Sequence, residues 1–172
     1  EQLAAIEIAP QAILIEPEGR NTAPAALAAA LVLAAQDPKA LMLLAPSDHV
    51  IPDAAAFRAA VTAAAPRALA GDFVTMGITP TRAETGYGYL ELAPGGHPDA
   101  TEPQQLARFI EKPDAERAAR MIDSGNFLWN AGIFLFTAAT LISAFRTLAP
   151  EILGPVEGAV AEAQPDLSFL RL

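Results

Sequence analysis

Four short polar stretches hold the side chains best suited to chemistry, and each lies at the edge of an apolar run. Ser47, Asp48 and His49 follow Pro46; Glu111 and Lys112 precede Pro113; Glu16 to Thr22 surround Pro17; and Asn130 interrupts the run Leu128–Phe136. A carboxylate such as Asp48, beside a hydroxyl and an imidazole, suits Mg²⁺, which takes one or two carboxylates plus substrate phosphates. Lys112 is a compact cation for a phosphate, and Glu111 can accept hydrogen bonds from sugar hydroxyls. Glu16, Arg20, Asn21 and Thr22 lead into a helix whose free N–H groups suit an anion or the polar edge of a nucleotide. Gly86 and Gly88, flanking Tyr87, permit a ligand to approach the backbone closely. Each stretch also has a purely structural reading. Asp48 can close a turn before Pro52-Asp53, Glu111–Lys112 can be a surface ion pair of little worth, and the glycines can mark a bulge. A polar Asn in an apolar strand needs partners, of which a ligand hydroxyl is one.

These residues need strands and helices to bring them together. Ala40–Ala45 is a short apolar run between Asp37-Pro38 and Pro46, which predicts a strand buried on both faces. Pro46 has no N–H for a ladder, so pairing stops there and Ser47, Asp48 and His49 fall at the sheet's carboxyl edge, where open α/β sheets bind ligands. Further strands are predicted at Ala12–Glu16, Phe73–Ile78, Leu106–Ile110 and Leu128–Phe136, with another after the Thr79–Gly88 loop. Helices are predicted from Asn21 or Thr22 (as cap) to Gln36, with Pro24 in the first turn. Others run from Asp53 to Ala65, with Pro66 forcing a kink or restart, and from Asp114 to Ser124, closed by Gly125-Asn126. Two more cover Thr140–Leu148 and Glu151–Ala163, with breaks at Pro150 and Pro155. His97 lies in a Gly/Pro loop and reads as solvated. The alternation gives a three-layer α/β sandwich around a mostly parallel mixed sheet, Rossmann-like in class.

Size and charge narrow the function classes. At 172 residues the chain suits one domain, and 52% hydrophobic against 18% charged residues excludes a disordered chain. Eleven Lys and Arg against twenty Asp and Glu give 11 − 20 = −9, a poor balance for binding nucleic acid or an anionic membrane surface. No cysteine is present, which excludes disulfides and thiolate metal sites. The longest apolar run, Ala23–Ala35, contains Pro24 and is too short to span a bilayer. Glu1–Ile6 reads as the last turns of a helix with neither a cap nor an initiator methionine, so the chain is expected to enter mid-domain.

Five stretches in one order carry a resemblance. They are Glu16 to Ala25 (EPEGRNTAPA), Pro46 to His49 (PSDH), Thr85 to Tyr89 (TGYGY), Phe109 to Pro113 (FIEKP) and Trp129 to Phe134 (WNAGIF). Together they closely resemble the mannose-1-phosphate guanylyltransferases, whose bacterial form is often fused to a mannose-6-phosphate isomerase domain. The resemblance covers Ile13 to Phe136 and weakens beyond. It implies a cytoplasmic enzyme in which a mannose 1-phosphate oxygen attacks the α-phosphorus of GTP, releasing pyrophosphate and forming GDP-mannose. By position it implies Asp48 as ligand of the catalytic Mg²⁺, and Glu16, Arg20, Asn21, Thr22 and Ser47 along the nucleotide. Gly88, Glu111, Lys112 and Asn130 would line the sugar-phosphate pocket, with Lys112 on the phosphate. Such a transfer needs positioning and charge neutralisation rather than a covalent nucleophile. The family's opening glycine-rich loop and its second metal-binding Asp do not occur here, and Asp166 is not in that motif. The chain is therefore expected to be a partial nucleotidyltransferase domain that does not turn over alone. A homo-oligomer is compatible with the sequence. Two rivals keep the architecture: a glycosyltransferase consuming a nucleotide-sugar, and a non-catalytic module retaining the pocket for binding or assembly.

Overall fold

The computed structural model describes residues 4–172. They form eight strands, five α-helices and a 3₁₀ turn at Ala4–Ile6, which is what the expected helix remnant becomes; Glu1–Leu3 lie outside the described residues. The chain divides into two compact units, Leu41–Thr137, and Glu1–Ala40 with Ala138–Leu172.

The Leu41–Thr137 unit is a five-stranded sheet with two helices. In chain order these are β2 (Leu41–Leu44), α2 (Ala54–Leu69), β3 (Val74–Ile78), β4 (Gly88–Leu92), β5 (Leu106–Glu111), α3 (Ala115–Ser124) and β6 (Phe127–Thr137). The long β6 organises it: Leu135 pairs with Leu43 on one side and with Val74 on the other, and Trp129 pairs with both Ile78 and Tyr89. All pairs in this sheet are antiparallel. The α/β class stands, whereas the mostly parallel pairing expected from the alternation does not. The physical reason is the position of β6. The strands β2 and β3, joined across α2, do run parallel to each other, but β6 returns antiparallel between them and takes both ladders.

The α2 helix starts at Asp53, whose carboxylate accepts from the N–H groups of Ala55 and Ala56. It runs through Pro66 to Leu69 rather than stopping at Ala65. Only one turn remains beyond Pro66, so the missing N–H costs a single bond near a fraying end. Ala64 and Ala68 of α2, flanked by Val61 and Ala65, pack on Leu135, Val74 and Met76. Asp114 caps α3 through the Arg117 N–H, and Gly125 closes it in the left-handed conformation (φ 73°), which glycine adopts without a Cβ clash. Ala118 and Met121 of α3 pack on Tyr89, Ile110, Phe127 and Trp129.

β2 is not buried on both faces. Met42 is buried, but Leu41 and Leu43 are 38% and 43% exposed. Among the described residues β2 pairs with β6 alone, so it is an edge strand, and an all-apolar run does not reveal that.

In the other unit, α1 (Thr22–Ala34) buries Ala26, Leu27, Ala28 and Ala30 and packs with α4 (Ala138–Leu148) and α5 (Pro150–Ala161). Pro150 begins α5 instead of breaking it, since the first helical turn has no N–H to lose, and Pro155 is carried inside the helix. A small sheet joins β1 (Leu14–Ile15), parallel, to β8 (Phe169–Arg171), and β8, antiparallel, to β7 (Gln164–Asp166). The expected Ala12–Glu16 strand is thus shorter, and the β7–β8 hairpin had no expectation. Its strands are three residues each and Pro165 sits in one, so neither length nor alternation signals them.

Candidate functional site

Within the Leu41–Thr137 unit, the sequence-predicted residues fall on neighbouring strands at one level of the sheet. One cross-strand row runs Ile110–Tyr89–Trp129–Ile78 and turns its first three side chains into the core. The next row begins with Glu111 paired to Gly88 and ends with Asn130 paired to Gly77. Continuing the Tyr89–Trp129 register by one step sets Gly88 opposite Asn130, so two polar side chains and two glycines share a row. The side chains of successive rows point to opposite faces, which keeps Glu111 and Asn130 off the core face.

Gly88 leaves its place in the row open. A Cβ there would stand 2.9 Å from Glu111 Oε2 and 2.7 Å from Phe109 Cζ, so a side chain would displace the ends of both of these exposed side chains. Lys112 follows with φ 43°, a left-handed conformation, and its N–H donates to the Tyr87 carbonyl at 3.2 Å. Its Nζ lies 3.6 Å from Glu111 Oε1, and both side chains are more than half exposed. The expected ion pair therefore forms, in water, where such a pair is weak and easily released to a ligand.

Asn130 finds its partners inside the protein. Its Oδ1 accepts from Thr75 Oγ1 at 2.8 Å and from the Gly132 N–H at 3.2 Å. The Gly132 bond identifies that atom as the oxygen, so the amide NH₂ is the end left over. Around it the β3–β6 ladder is irregular: Met76 stands opposite Ala131, Gly132 and Ile133, and Gly132 adopts φ 68°. A Cβ on Gly132 would be 3.6 Å from Pro46 Cγ, so the loop leaving β2 passes beside this bulge. Ser47 and Asp48 form an exposed turn just beyond. Asp48 makes no hydrogen bond or ion pair among the described residues.

The other predicted residues belong to the other unit. Glu16 directly follows β1 and is half-buried. Arg20 pairs with Glu18 at 2.7 Å in solvent. Asn21 occupies the N-cap position of α1, but neither it nor Thr22 supplies the expected cap bond. The reason is the backbone. At φ 66° and ψ −178°, Asn21 is in a region essentially reserved for glycine and not in the extended conformation from which a cap side chain reaches back.

Sequence reasoning missed the support around the row. Arg82 donates through Nε and Nη2 to Glu84 Oε2, at 3.3 and 3.0 Å, and its guanidinium lies 5.4 Å over the Trp129 ring. The Gly86 N–H donates to Glu84 Oε1 at 3.0 Å. The Gly86 N–H and then the Arg82 guanidinium hold the Glu84 carboxyl below its ordinary range. Tyr89 Oη donates to the Glu84 carbonyl and accepts from its N–H. The Tyr87 ring meets Trp129 edge-on, 5.4 Å between centroids. The contacts of Arg82 and Tyr87 with Trp129 have no spacing signature, since they depend on a loop folding back over β6.

Among the described residues no three His, Cys, Asp or Glu side chains gather as a metal cluster. Asp48 is an unengaged carboxylate with Ser47 beside it. That donor set fits a hard cation completed by water and phosphate oxygens. No helix among the described residues is long and apolar enough to cross a membrane.

The family model described as nucleotidyl transferase matches residues 1–172. The xanthan biosynthesis protein XanB of Xanthomonas campestris pv. campestris (strain B100) is 45% identical over 172 residues, covering 100% of this chain and 36% of that protein. The mannose-1-phosphate guanylyltransferase of Escherichia coli (strain K12) is 43% identical over 178 residues, 100% of this chain and 37% of that protein. The chain thus spans about a third of the length of these curated relatives. Solved structures are similar too, two of them as follows. One is described as mannose-6-phosphate isomerase from Helicobacter pylori (TM-score 0.80, 33% identity, 94% of this chain and 60% of that one). The other is described as mannose-1-phosphate geranyltransferase from Thermus thermophilus (TM-score 0.73, 35% identity, 87% and 43%).

Proposed function

From the premise that the chain belongs to the nucleotidyl transferase family, we propose that its full-length gene product forms GDP-mannose and pyrophosphate from GTP and mannose 1-phosphate. A sugar-phosphate oxygen attacks the α-phosphorus of GTP; the new O–P bond forms as the bond to the bridging oxygen of the pyrophosphate breaks. The sugar phosphate is already an oxyanion near neutral pH, so no base has to remove a proton. The observation that carries the reading is the row of Glu111, Gly88 and Asn130 beside the Pro46–Asp48 loop, in a chain 43% identical to a guanylyltransferase.

In this reading Glu111 accepts from sugar hydroxyls, the bare backbone at Gly88 gives the ring room, and the Asn130 amide donates to an oxygen. Lys112 turns from Glu111 to the substrate phosphate. Asp48 would hold Mg²⁺, and Ser47 is assigned to the nucleotide. When bound, the ion supplies positive charge against the phosphate oxygens. In the other unit Glu16, Arg20, Asn21 and Thr22 are assigned to the nucleotide. The work of the protein is positioning and electrostatic stabilisation. Such a product would stand upstream of polysaccharide assembly, a reading supported by relatives named as xanthan and alginate biosynthesis proteins, and the enzyme is assigned to the cytoplasm.

The test is to incubate the full-length gene product with GTP, mannose 1-phosphate and Mg²⁺ and to follow pyrophosphate and GDP-mannose together. Equimolar formation is expected. Turnover of GDP-mannose with an acceptor, and none of the sugar phosphate, would replace this reading with a glycosyltransferase.

A further inference from the structure

The loop Thr79–Tyr87 carries no residue assigned to substrate, yet it holds the densest set of side-chain bonds beside the candidate site. Starting from Arg82, the connections are continuous. The guanidinium lies over the Trp129 face and binds Glu84 Oε2. The second carboxylate oxygen takes the Gly86 N–H. The backbone of Glu84 is tied at both its N–H and its carbonyl to the buried Tyr89 hydroxyl. This fixes Tyr87, whose ring rests on Trp129 and whose carbonyl accepts the Lys112 N–H.

That last bond is the consequential one. Lys112 adopts φ 43° immediately before a proline, where the residue is ordinarily driven to extended conformations. Such a conformation persists only where its surroundings hold it, and the Tyr87 carbonyl is the backbone partner that does so here. We propose that Arg82 and Glu84 form a clasp on Trp129 that positions Lys112: by fixing the Tyr87 carbonyl, it holds the left-handed turn from which the ammonium is presented to a sugar phosphate. The assignment of the phosphate rests on the reading of Lys112 above; the clasp itself does not. Arg82 and Glu84 are positioning residues, since neither touches the groups assigned to substrate. Arginine is specific to the task. A planar fork can stack on an aromatic face and grip a carboxylate at once, which a lysine ammonium cannot.

Two readouts keep the clasp and the chemistry separate. Trp129 is the single tryptophan in the sequence, so its emission reports the stacked guanidinium directly. Hydrogen exchange of a peptide ending at Pro113 reports the Lys112 N–H, without any ligand. In the 172-residue chain, where Trp129 is the single tryptophan, R82A and E84Q should shift the emission and speed exchange at Lys112. In the full-length gene product, R82A should also raise the KM for mannose 1-phosphate on the order of tenfold, a typical effect of a displaced positioning group, with the KM for GTP unchanged. R82K should recover part of the sugar-phosphate affinity, by charge, but not the emission. Unchanged emission in R82A would show that no clasp forms. Changed emission with unchanged Lys112 exchange would show that it positions nothing, and either result overturns the proposal. A wild-type protein that responds to neither substrate, yet shows both ligand-free effects, would overturn the function assigned to Lys112 and leave the clasp standing.

Discussion

A lone carboxylate on an exposed turn is a poor metal ligand until a polyanion joins it, and Asp48 is in that position. Its oxygens are unengaged among the described residues, so Asp48→Asn should leave the fold intact while removing the charge that a hard cation needs. The expected outcome in the full-length gene product is loss of most turnover with an unchanged unfolding temperature; near-normal activity with a normal Mg²⁺ requirement would take Asp48 out of the site. Lys112 can be argued in magnitude. Its exposed pairing with Glu111 contributes little, so in the proposed role nearly all of its worth would lie in the ligand bond. A charge-assisted hydrogen bond contributes about 1.5–3 kcal/mol. Lys112→Ala should therefore lower kcat/KM for mannose 1-phosphate by about 10- to 150-fold. The effect on GTP should be much smaller, and equal losses for both substrates would assign Lys112 a structural role instead. Both residues were legible in the sequence because a proline beside each marks where a strand must stop. Thr75 was not. Its hydroxyl reads as one polar atom in an apolar strand, and only the ladder brings it 2.8 Å from Asn130 Oδ1.

Between residues and molecule lie the loops and strands that place them. The Thr79–Tyr87 loop is held by a carboxylate whose pKa lies below the ordinary glutamate range, first through the Gly86 N–H and then through Arg82. The sign follows from the direction. A lowered folded-state pKa means that the stabilisation is present above the unfolded-state value and is lost as pH falls through the folded one. The loop should thus be indifferent to pH near neutrality and loosen only at pH below the ordinary glutamate range. Trp129 emission, titrated downward, should show that transition, and E84Q should abolish it; an unchanged titration in E84Q would remove Glu84 as the cause. Elements also show where sequence reasoning stops. Capped helices such as α3 were readable to the residue, because Asp114 and Gly125 act locally. The pairing of β6 was not, because a strand's neighbours depend on contacts with residues 41–44 and 74–78, far away in sequence. The same non-local choice leaves β2 as an edge strand with Leu41 and Leu43 exposed, although its composition is that of a buried one.

On the scale of the whole chain the dominant quantity is charge. The net charge is −9, and both proposed substrates are anions. The assigned residues do not reverse this, for Glu16, Asp48 and Glu111 outweigh Arg20 and Lys112, and each of those cations already pairs with a carboxylate. Transfer at the α-phosphorus builds charge on the departing pyrophosphate, which a catalyst must meet with preorganised positive groups. Losing even one such group typically costs about 10²–10³ in rate. The described residues offer no cluster of cations for that purpose among those assigned, and the chain spans about a third of the length of its curated relatives. The 172-residue chain is therefore expected to bind mannose 1-phosphate weakly, through the Glu111–Gly88–Asn130 row and Lys112, and not to turn over. Raising ionic strength should help that binding at first, since a Debye length of about 8 Å at physiological salt screens the long-range repulsion more than a contact at Lys112. Pyrophosphate release from GTP and mannose 1-phosphate, measured side by side on this chain and on the full-length gene product, decides the matter. Comparable rates would mean that the residues described here carry enough positive charge to stabilise the leaving group, and the balance drawn between their carboxylates and cations would be wrong.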